Sequence, residues 1–243
     1  MTKTKTGTVK NTAVIDKNVK HKKHINNAKN IDNAKKKKSA LRENIEAIVI
    51  AVILALFIRT FVVQAFKIPS GSMEDTLLIG DHILVNKFIY GIKIPFTGGP
   101  FSAGNTLISV SKPHRHDIIV FRYPEDPDKD FIKRVIGIAG DIVEIKDKKL
   151  YVNGKLQNHE PYAVHKDPRH IPGKFSVRDN FGPVTVPENS LFVMGDNRDN
   201  SYDSRFWGFV NLKAVRGEAF IIYWSWNQDN FGVRWNRTGK ILR

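Results

Sequence analysis

The sequence predicts a predominantly β protein, folded as sheets or an open barrel, behind a single N-terminal membrane helix. One long apolar run comes first, since every residue from Ala47 to Ile58 is apolar. After residue 66 the apolar residues come in short runs separated by glycine and proline, without a long amphipathic helical pattern. A chain of 243 residues allows one large domain or a domain with a sizeable insertion.

Residues 1–43 form a basic tail. The formal net charge of +15 suggests nucleic-acid binding until the charge is located. Residues 1–42 contain thirteen lysines and arginines against Asp16 and Asp32, so the remaining residues carry only +4. The tail has few large apolar residues and cannot bury enough surface to fold alone, so we predict that it is disordered. We expect no nucleic-acid partner, because a membrane explanation of the charge follows directly.

Residues 44–65 are predicted to be a retained transmembrane anchor. Counting from Ala47 through Val63 gives 17 residues, the low end for a membrane span, and Arg59 can reach the headgroups. The basic flank places residues 1–43 in the cytoplasm and residues 66–243 on the outer face. A cleaved signal peptide is the alternative, since Val63-Gln64-Ala65 resembles a cleavage site. However, a charged region of 43 residues is far too long for an ordinary signal peptide.

The remaining pattern predicts short strands and turns. Strands are expected at residues 81–88, 118–121, 131–136, 191–194 and 219–226, and a hairpin over residues 141–152. The Asn153-Gly154 dipeptide after the hairpin favours a tight turn of type I′. Proline and glycine predict loops over residues 91–104 and 161–187.

Two stretches suggest nucleophilic catalysis. In the sequence Pro69-Ser70-Gly71-Ser72, proline fixes its own φ and glycine permits a sharp turn, which could present Ser72 as a nucleophile. A serine needs a base, and none of the eight histidines stands in a context that would orient it. Lys133 is the candidate, because burial among its apolar neighbours in residues 131–136 would favour the neutral amine. An ordinary Ser/Gly loop and a solvent-facing lysine are the alternatives. The chain contains no cysteine, which excludes thiol catalysis and disulfides.

The third unusual stretch is the polar run at residues 195–205, Gly-Asp-Asn-Arg-Asp-Asn-Ser-Tyr-Asp-Ser-Arg. Buried without partners it would be costly, but as a network of ion pairs it could support a site. Calcium binding is one alternative, although the EF-hand pattern fails for want of the required glycine and closing glutamate. A solvated loop is the other. We predict no metal and no cofactor.

Together these stretches resemble the type I signal peptidases, the bacterial leader peptidases that use a Ser/Lys dyad. The matching pieces stand in the family's order. They are Ser70-Gly71-Ser72-Met73 with Thr76-Leu77, Gly80 to Lys87, Asp117 to Phe121 with Tyr123-Pro124, Ile132 to Val135, and Gly195 to Arg205. One departure is Asp75, where the family commonly has proline. We expect a loss of local stiffness and not of a catalytic group, which leaves the exact loop geometry open but not the assignment.

The resemblance implies two antiparallel β-sheet regions, a catalytic core and a more variable inserted β-region at about residues 137–188. It also implies a serine endopeptidase with specific residue roles. Ser72 would be the nucleophile and Lys133 the general base; the Ser72 amide and the Ser70 hydroxyl would form the oxyanion hole. Ser201 would hydrogen-bond the Lys133 amine, with Asp203 and Arg205 as a supporting ion pair.

The substrates implied are secretory preproteins, cleaved after small residues in an Ala-x-Ala pattern at the outer face of the cytoplasmic membrane. The bilayer would be a partner, and the protein translocation machinery would lie near. The residues implied to bind substrate are Phe66, Ile68, Pro69, Leu77, Val120, Asp130, Phe131 and Ile132. Two other classes stay open. One is a Ser/Lys self-cleaving regulator, which needs a DNA-binding helical domain whose pattern residues 1–43 lack. The other is a non-enzymatic membrane-anchored β-domain.

Overall fold

The computed structural model describes residues 42–58, 62–90, 92–93, 106–108 and 111–242. These residues fall into two compact units that divide between Leu56 and Phe57. An exposed helix (α1) over residues 42–57 makes up the described part of the first unit and ends at the first residue of the second. No helix in the described ranges combines the length and apolar character needed to cross a membrane. Residues 1–41 of the predicted tail and residues 59–61 of the predicted anchor lie outside the described residues.

The regular secondary structure of the second unit consists almost entirely of strands. Their bounds are β1 Val63–Lys67, β2 Asp81–Asn86, β3 Ile92–Lys93, β4 Thr106–Ile108, β5 Ile118–Tyr123, β6 Asp126–Ile138, β7 Ile142–Lys146, β8 Lys149–Val152, β9 Lys155–Leu156, β10 Phe181–Thr185, β11 Ser190–Met194, β12 Val210–Asn211, β13 Val215–Asn227, β14 Gly232–Val233 and β15 Lys240–Ile241. The helical turns of this unit are short: 3₁₀ turns at Gly71–Met73 and Leu212–Ala214, and α2 at Ser204–Trp207. The predicted mainly β fold is therefore confirmed.

The larger sheet carries the predicted core strands. Its order is β1-β2-β13-β5-β6-β11-β12, with β14 and β15 also paired to β13, and its pairings are antiparallel. Alternate residues of β2 are buried, which places Ile83 and Val85 in an apolar cluster with Ile222 of β13. A second cluster joins Ile119 of β5 to Val193 of β11.

The smaller sheet, in the order β10-β7-β8-β9, is inserted between β6 and β11 in the chain. Its antiparallel strands contribute Val143 and Leu150 to a third apolar cluster, which also contains Ile136 of β6 and Phe192 of β11. Asn153 and Gly154 join β8 to β9 with φ values of 54° and 72°, the left-handed pair that a type I′ turn requires. The predicted tight turn is confirmed, and so is the presence of two antiparallel sheets.

Three segments differ from prediction. β3 and β10 lie within the stretches predicted to be loops. In β10, Pro183 occupies an edge strand with a register shift, where the missing amide does not interrupt a central ladder. The end of the predicted anchor, from Val63 to Ala65, belongs to β1, because these residues pair with Leu84 to Asn86 of β2.

Candidate active site

Ser72 is held on a short turn directly after the edge strand β1. The turn is the 3₁₀ segment Gly71–Met73, entered from Ser70 with an extended backbone and fixed beneath by the fully buried Met73. Before the turn, the Ile68 amide donates to Asp81 O at 2.8 Å. The two serine hydroxyl oxygens are 3.5 Å apart. The loop therefore presents both hydroxyls on an anchored backbone.

Lys133 reaches this loop from β6. Its side chain is buried, and Nζ donates to Ser72 Oγ at 2.8 Å and to Ile132 O at 3.0 Å. The Phe131 ring centroid is 5.3 Å from Nζ. Strand β6 thus delivers an amine to the serine from a sequence position 61 residues away.

The environment of Lys133 weakens its hold on a proton. Burial, which disfavours the ammonium form, lowers the pKa of Lys133 to about 8. The negative charges of Asp203 and Asp196 oppose this shift, and the positive charge of Arg205 adds to it. Within the described part of the chain, Lys133 forms no ion pair. A substantial fraction of the amine is therefore neutral near pH 8.

The polar run at residues 195–205 is a network of paired charges. Arg134 donates two hydrogen bonds to Asp196, of 2.9 and 2.7 Å, and Thr76 Oγ1 donates to the same carboxylate at 2.6 Å. Arg205 donates twice to Asp203, at 2.8 Å each, and the Gly195 amide donates to Asp203 Oδ2 at 3.1 Å. Through Asp196, these hydrogen bonds join the polar run to β6 at Arg134 and to the Ser72 loop at Thr76.

The structure does not show the predicted hydrogen bond between Ser201 and the Lys133 amine. Ser201 Oγ is buried and has no hydrogen-bond partner among the described residues, while Nζ donates to Ser72 Oγ and to Ile132 O. Ser201 nevertheless lies close to the backbone of the Ser72 turn. A Cβ placed on Gly195 would be 2.3 Å from Ser201 Oγ and 2.4 Å from Ser72 O.

The structure gives the loop geometry that the sequence left open at Asp75. Its φ is 73°, in the left-handed region, whereas the ring of proline fixes φ near about −65°. The loop therefore follows a path in which proline could not replace Asp75 without a backbone rearrangement.

Five of the eight residues expected to bind substrate belong to one apolar cluster or pack against it. Ile68, Leu77 and Val120 are at most 2% exposed and form one apolar cluster. Phe66 and Ile132 pack against that cluster while remaining partly exposed.

The other three expected residues do not belong to that cluster. Pro69 and Asp130 are exposed, and the Phe131 ring stacks on Tyr123 with centroids 4.4 Å apart. Two backbone edges are also open in the described structure. β1 pairs only with β2, and Asp130 to Ile132 pair only with β5.

Sequence reasoning missed the hydrogen bonds that the C-terminal segment makes with Asp81. Arg237 Nη2 donates to Asp81 Oδ2 at 2.6 Å and to Thr76 O at 2.9 Å, and Ser225 Oγ donates to Asp81 Oδ1 at 2.6 Å. Burial disfavours the charged form of Asp81 and acts to raise its pKa. The hydrogen bonds from Arg237 and Ser225 outweigh this and hold the pKa below the ordinary value. The sequence separation of 156 residues leaves no local signal for this contact.

Comparison with known proteins identifies the family of the chain. The sequence profile of the family described as signal peptidase, peptidase S26, matches residues 41–224. Signal peptidase I of Pseudomonas aeruginosa is 40% identical over 201 residues, covering 71% of this chain and 69% of that protein. Signal peptidase I S of Bacillus subtilis is 39% identical over 194 residues, covering 79% of this chain and 94% of that protein. A crystal structure of a signal peptidase I from Enterococcus faecalis is 36% identical, covers 45% of this chain and 98% of that one, and superposes with a TM-score of 0.36. The chain belongs to the signal peptidase family, peptidase S26.

Proposed function

We propose that this peptidase is a membrane-anchored serine endopeptidase that removes N-terminal signal peptides from secreted preproteins. Ser72 is the nucleophile and Lys133 is the base. The observation that carries the proposal is the 2.8 Å contact between Lys133 Nζ and Ser72 Oγ, made by a buried amine whose pKa is lowered to about 8. A neutral amine at this distance can accept the serine proton.

In the acylation step, Ser72 Oγ attacks the carbonyl carbon of the scissile bond while its proton passes to Lys133 Nζ. The resulting oxyanion would be bound by the Ser72 amide and the Ser70 hydroxyl, whose oxygen is 3.5 Å from Ser72 Oγ. When the C–N bond breaks, the Lys133 ammonium returns its proton to the leaving amine. The product is an ester between Ser72 and the signal peptide.

Hydrolysis of the ester repeats the sequence with water as the nucleophile. Lys133 takes a proton from the water, a second tetrahedral intermediate forms in the same oxyanion hole, and Ser72 leaves with the proton held by Lys133. Both halves require a lysine that gains and loses a proton within the working pH range, which its apolar surroundings supply.

Substrate recognition would use the two open backbone edges. An extended signal-peptide end placed between β1 and Asp130–Ile132 would complete the pairing that both edges lack in the described structure. Phe66 and Ile132 would contact the P1 and P3 side chains over the floor formed by the buried cluster. Shallow pockets of this kind exclude large side chains by steric conflict, which favours an Ala-x-Ala pattern.

We place the catalytic unit on the outer face of the cytoplasmic membrane, with the basic tail inside, because the lysine-rich segment precedes the apolar run. The exposed side chains of Phe231 and Trp235, at 82% and 72% exposure, could rest at the bilayer surface. External protease acting on spheroplasts tests this orientation. It should digest the β unit and spare the tail, and the reverse pattern would invert the topology.

Substitution of the nucleophile tests the proposed chemistry. The Ser72→Ala variant should lose preprotein cleavage by at least about 10³-fold while retaining its melting temperature, because the side chain is partly exposed and its loss creates little cavity. The measurement is cleavage of a secretory preprotein by purified full-length protein. Undiminished cleavage would exclude a serine mechanism, and a wild-type protein without peptidase activity would favour the non-enzymatic β-domain.

A further inference from the structure

We propose that Lys166, in the inserted β-region, is a positioning residue for the nucleophile loop and acts through Glu74. The inference rests on the proposed function, since it concerns the reaction of Ser72. Lys166 follows β9 and precedes β10, so it belongs to the segment that the family resemblance separates from the catalytic core.

Glu74 closes the turn that carries Ser72. Its amide donates to Gly71 O at 3.1 Å, and its side chain folds back over the same glycine. Glu74 Oε2 lies 3.6 Å from the point that a Cβ on Gly71 would occupy. Since Gly71 separates the two serines proposed to bind the oxyanion, the position of this carboxylate is coupled to the geometry of the oxyanion hole.

Two donors hold the Glu74 carboxylate. Lys166 Nζ is 2.7 Å from Oε1, and Asn197 Nδ2 donates to Oε2 at 3.2 Å. Asn197 is buried; its Nδ2 also donates to Gly71 O at 3.1 Å, and its backbone amide donates to Ser72 O at 3.1 Å. The turn is thus fixed by a buried amide and, through Glu74, by the half-exposed ammonium of Lys166.

The backbone on both sides of Lys166 is already fixed. Val164 forms a parallel bridge with Asn197, and the Asp167 amide donates to Asp199 Oδ2 at 2.8 Å. An exposed ion pair ordinarily contributes little, because two flexible side chains must be ordered to form it. Here the Glu74 side chain is already held by the buried Asn197 amide, so the ordering cost falls mainly on the Lys166 side chain and more of the interaction remains to hold Glu74.

Lys166 keeps its charge while Lys133 titrates. The hydrogen bond to Glu74 raises the pKa of Lys166 above the usual lysine value of 10.5, whereas the pKa of Lys133 is lowered to about 8. A positioning effect of Lys166 should therefore lower the rate without moving the pH at which activity is half-maximal.

The test is steady-state cleavage, by the full-length protein in detergent, of a peptide that carries an Ala-x-Ala cleavage sequence. In Lys166→Met we expect kcat to fall about threefold to tenfold with KM unchanged, the size expected for a small misplacement of a reacting group. Lys166→Arg should retain most of the activity. Lys155→Met, which removes an exposed ammonium from β9 of the same region, is the matched control.

Three results would overturn the role of Lys166 while leaving the proposed function intact: a wild-type kcat in Lys166→Met, an equal loss in Lys155→Met, or a rise in KM with kcat unchanged. The last would indicate contact with substrate instead of positioning. Full cleavage by Ser72→Ala overturns the proposed function itself, so the two failures are distinguishable.

Discussion

Lys133 and Arg205 are both buried cations, each 4% exposed, but the protein surrounds them differently. Arg205 donates two hydrogen bonds to the Asp203 carboxylate and one each to the carbonyl oxygens of Arg178 and Arg198. Lys133 meets a hydroxyl and one carbonyl oxygen, beside an aromatic ring. The positive charge of Arg205 is neutralised by Asp203 and is permanent. The positive charge of Lys133 has little compensation, so Lys133 can lose its proton.

This difference makes Arg205 suited to structural support and Lys133 suited to proton transfer. A guanidinium stays protonated at any usable pH, so pairing it with a carboxylate builds a rigid frame. For a buried amine that lacks such a partner, the ammonium form is disfavoured and the pKa falls, so the amine can act as a base near neutral pH. Asp203 acts on both cations, because its negative charge is paired with Arg205 and also raises the pKa of Lys133.

The largest effect is expected when Lys133 is made permanently charged. Lys133→Arg should lower kcat/KM by about 10³-fold or more, because guanidinium cannot accept the Ser72 proton. In the wild type, kcat/KM should rise with pH through about 8, the region in which Lys133 becomes neutral. Both are measured as kcat/KM against pH with the peptide substrate. Near-normal turnover by Lys133→Arg would exclude the lysine base.

Removing the negative charge of Asp203 should have two effects. Asp203→Asn leaves Arg205 buried without its carboxylate, which should cost about 3–5 kcal/mol of unfolding free energy. It should also lower the pKa of Lys133 further, since Asp203 raises that pKa and the unpaired Arg205 lowers it. The rising limb of the pH–rate profile should therefore move to lower pH.

Denaturant unfolding and pH–rate profiles measured on the same preparation check both effects of Asp203→Asn. The profile is taken at a temperature where the variant is folded, with the wild type as control. Movement of the limb to higher pH would contradict this account of the electrostatics around Lys133.

The sequence predicted the parts of the site that have local signals. Apolar neighbours around Lys133 predicted a buried strand residue, and the Pro/Gly-framed serine predicted a turn after the apolar run; both lie where expected in the chain. The family resemblance, not the pattern, supplied their pairing. Their proximity depends on the packing of β6 against the loop, which no local pattern encodes.

The contacts that the sequence did not predict are long-range pairs of polar residues. Arg237 with Asp81, Arg198 with Glu160, and Lys166 with Glu74 join segments that lie far apart in the chain. Any of these residues would be typical of a solvated surface. Only the folded chain selects which carboxylate each cation meets, so composition and periodicity give no hint of the pairing.

A smaller effect is expected where the loop departs from the family pattern. Asp75→Pro requires a φ that the present path of the loop does not provide, so we expect a loss of about 1–3 kcal/mol in unfolding free energy. Movement of the adjoining turn should also lower kcat by about tenfold. Asp75→Gly is the matched control, since glycine adopts positive φ readily. A stabilised, fully active Asp75→Pro would show that the loop takes another path in solution.

The smallest effect is expected at Ser201, which the family resemblance assigns to orienting the base. Its hydroxyl is buried without a partner among the described residues, so Ser201→Ala removes a desolvated polar group and should leave the unfolding free energy unchanged or raise it by up to about 1 kcal/mol. With Lys133 already held by Ser72 Oγ and Ile132 O, kcat/KM should fall by less than about tenfold. A loss of about 100-fold with a displaced pH–rate limb would mean that Ser201 turns to the neutral amine once substrate is bound. The unfolding free energy and the pH–rate profile of Ser201→Ala thus decide whether the Lys133 amine works alone or is oriented by Ser201 during turnover.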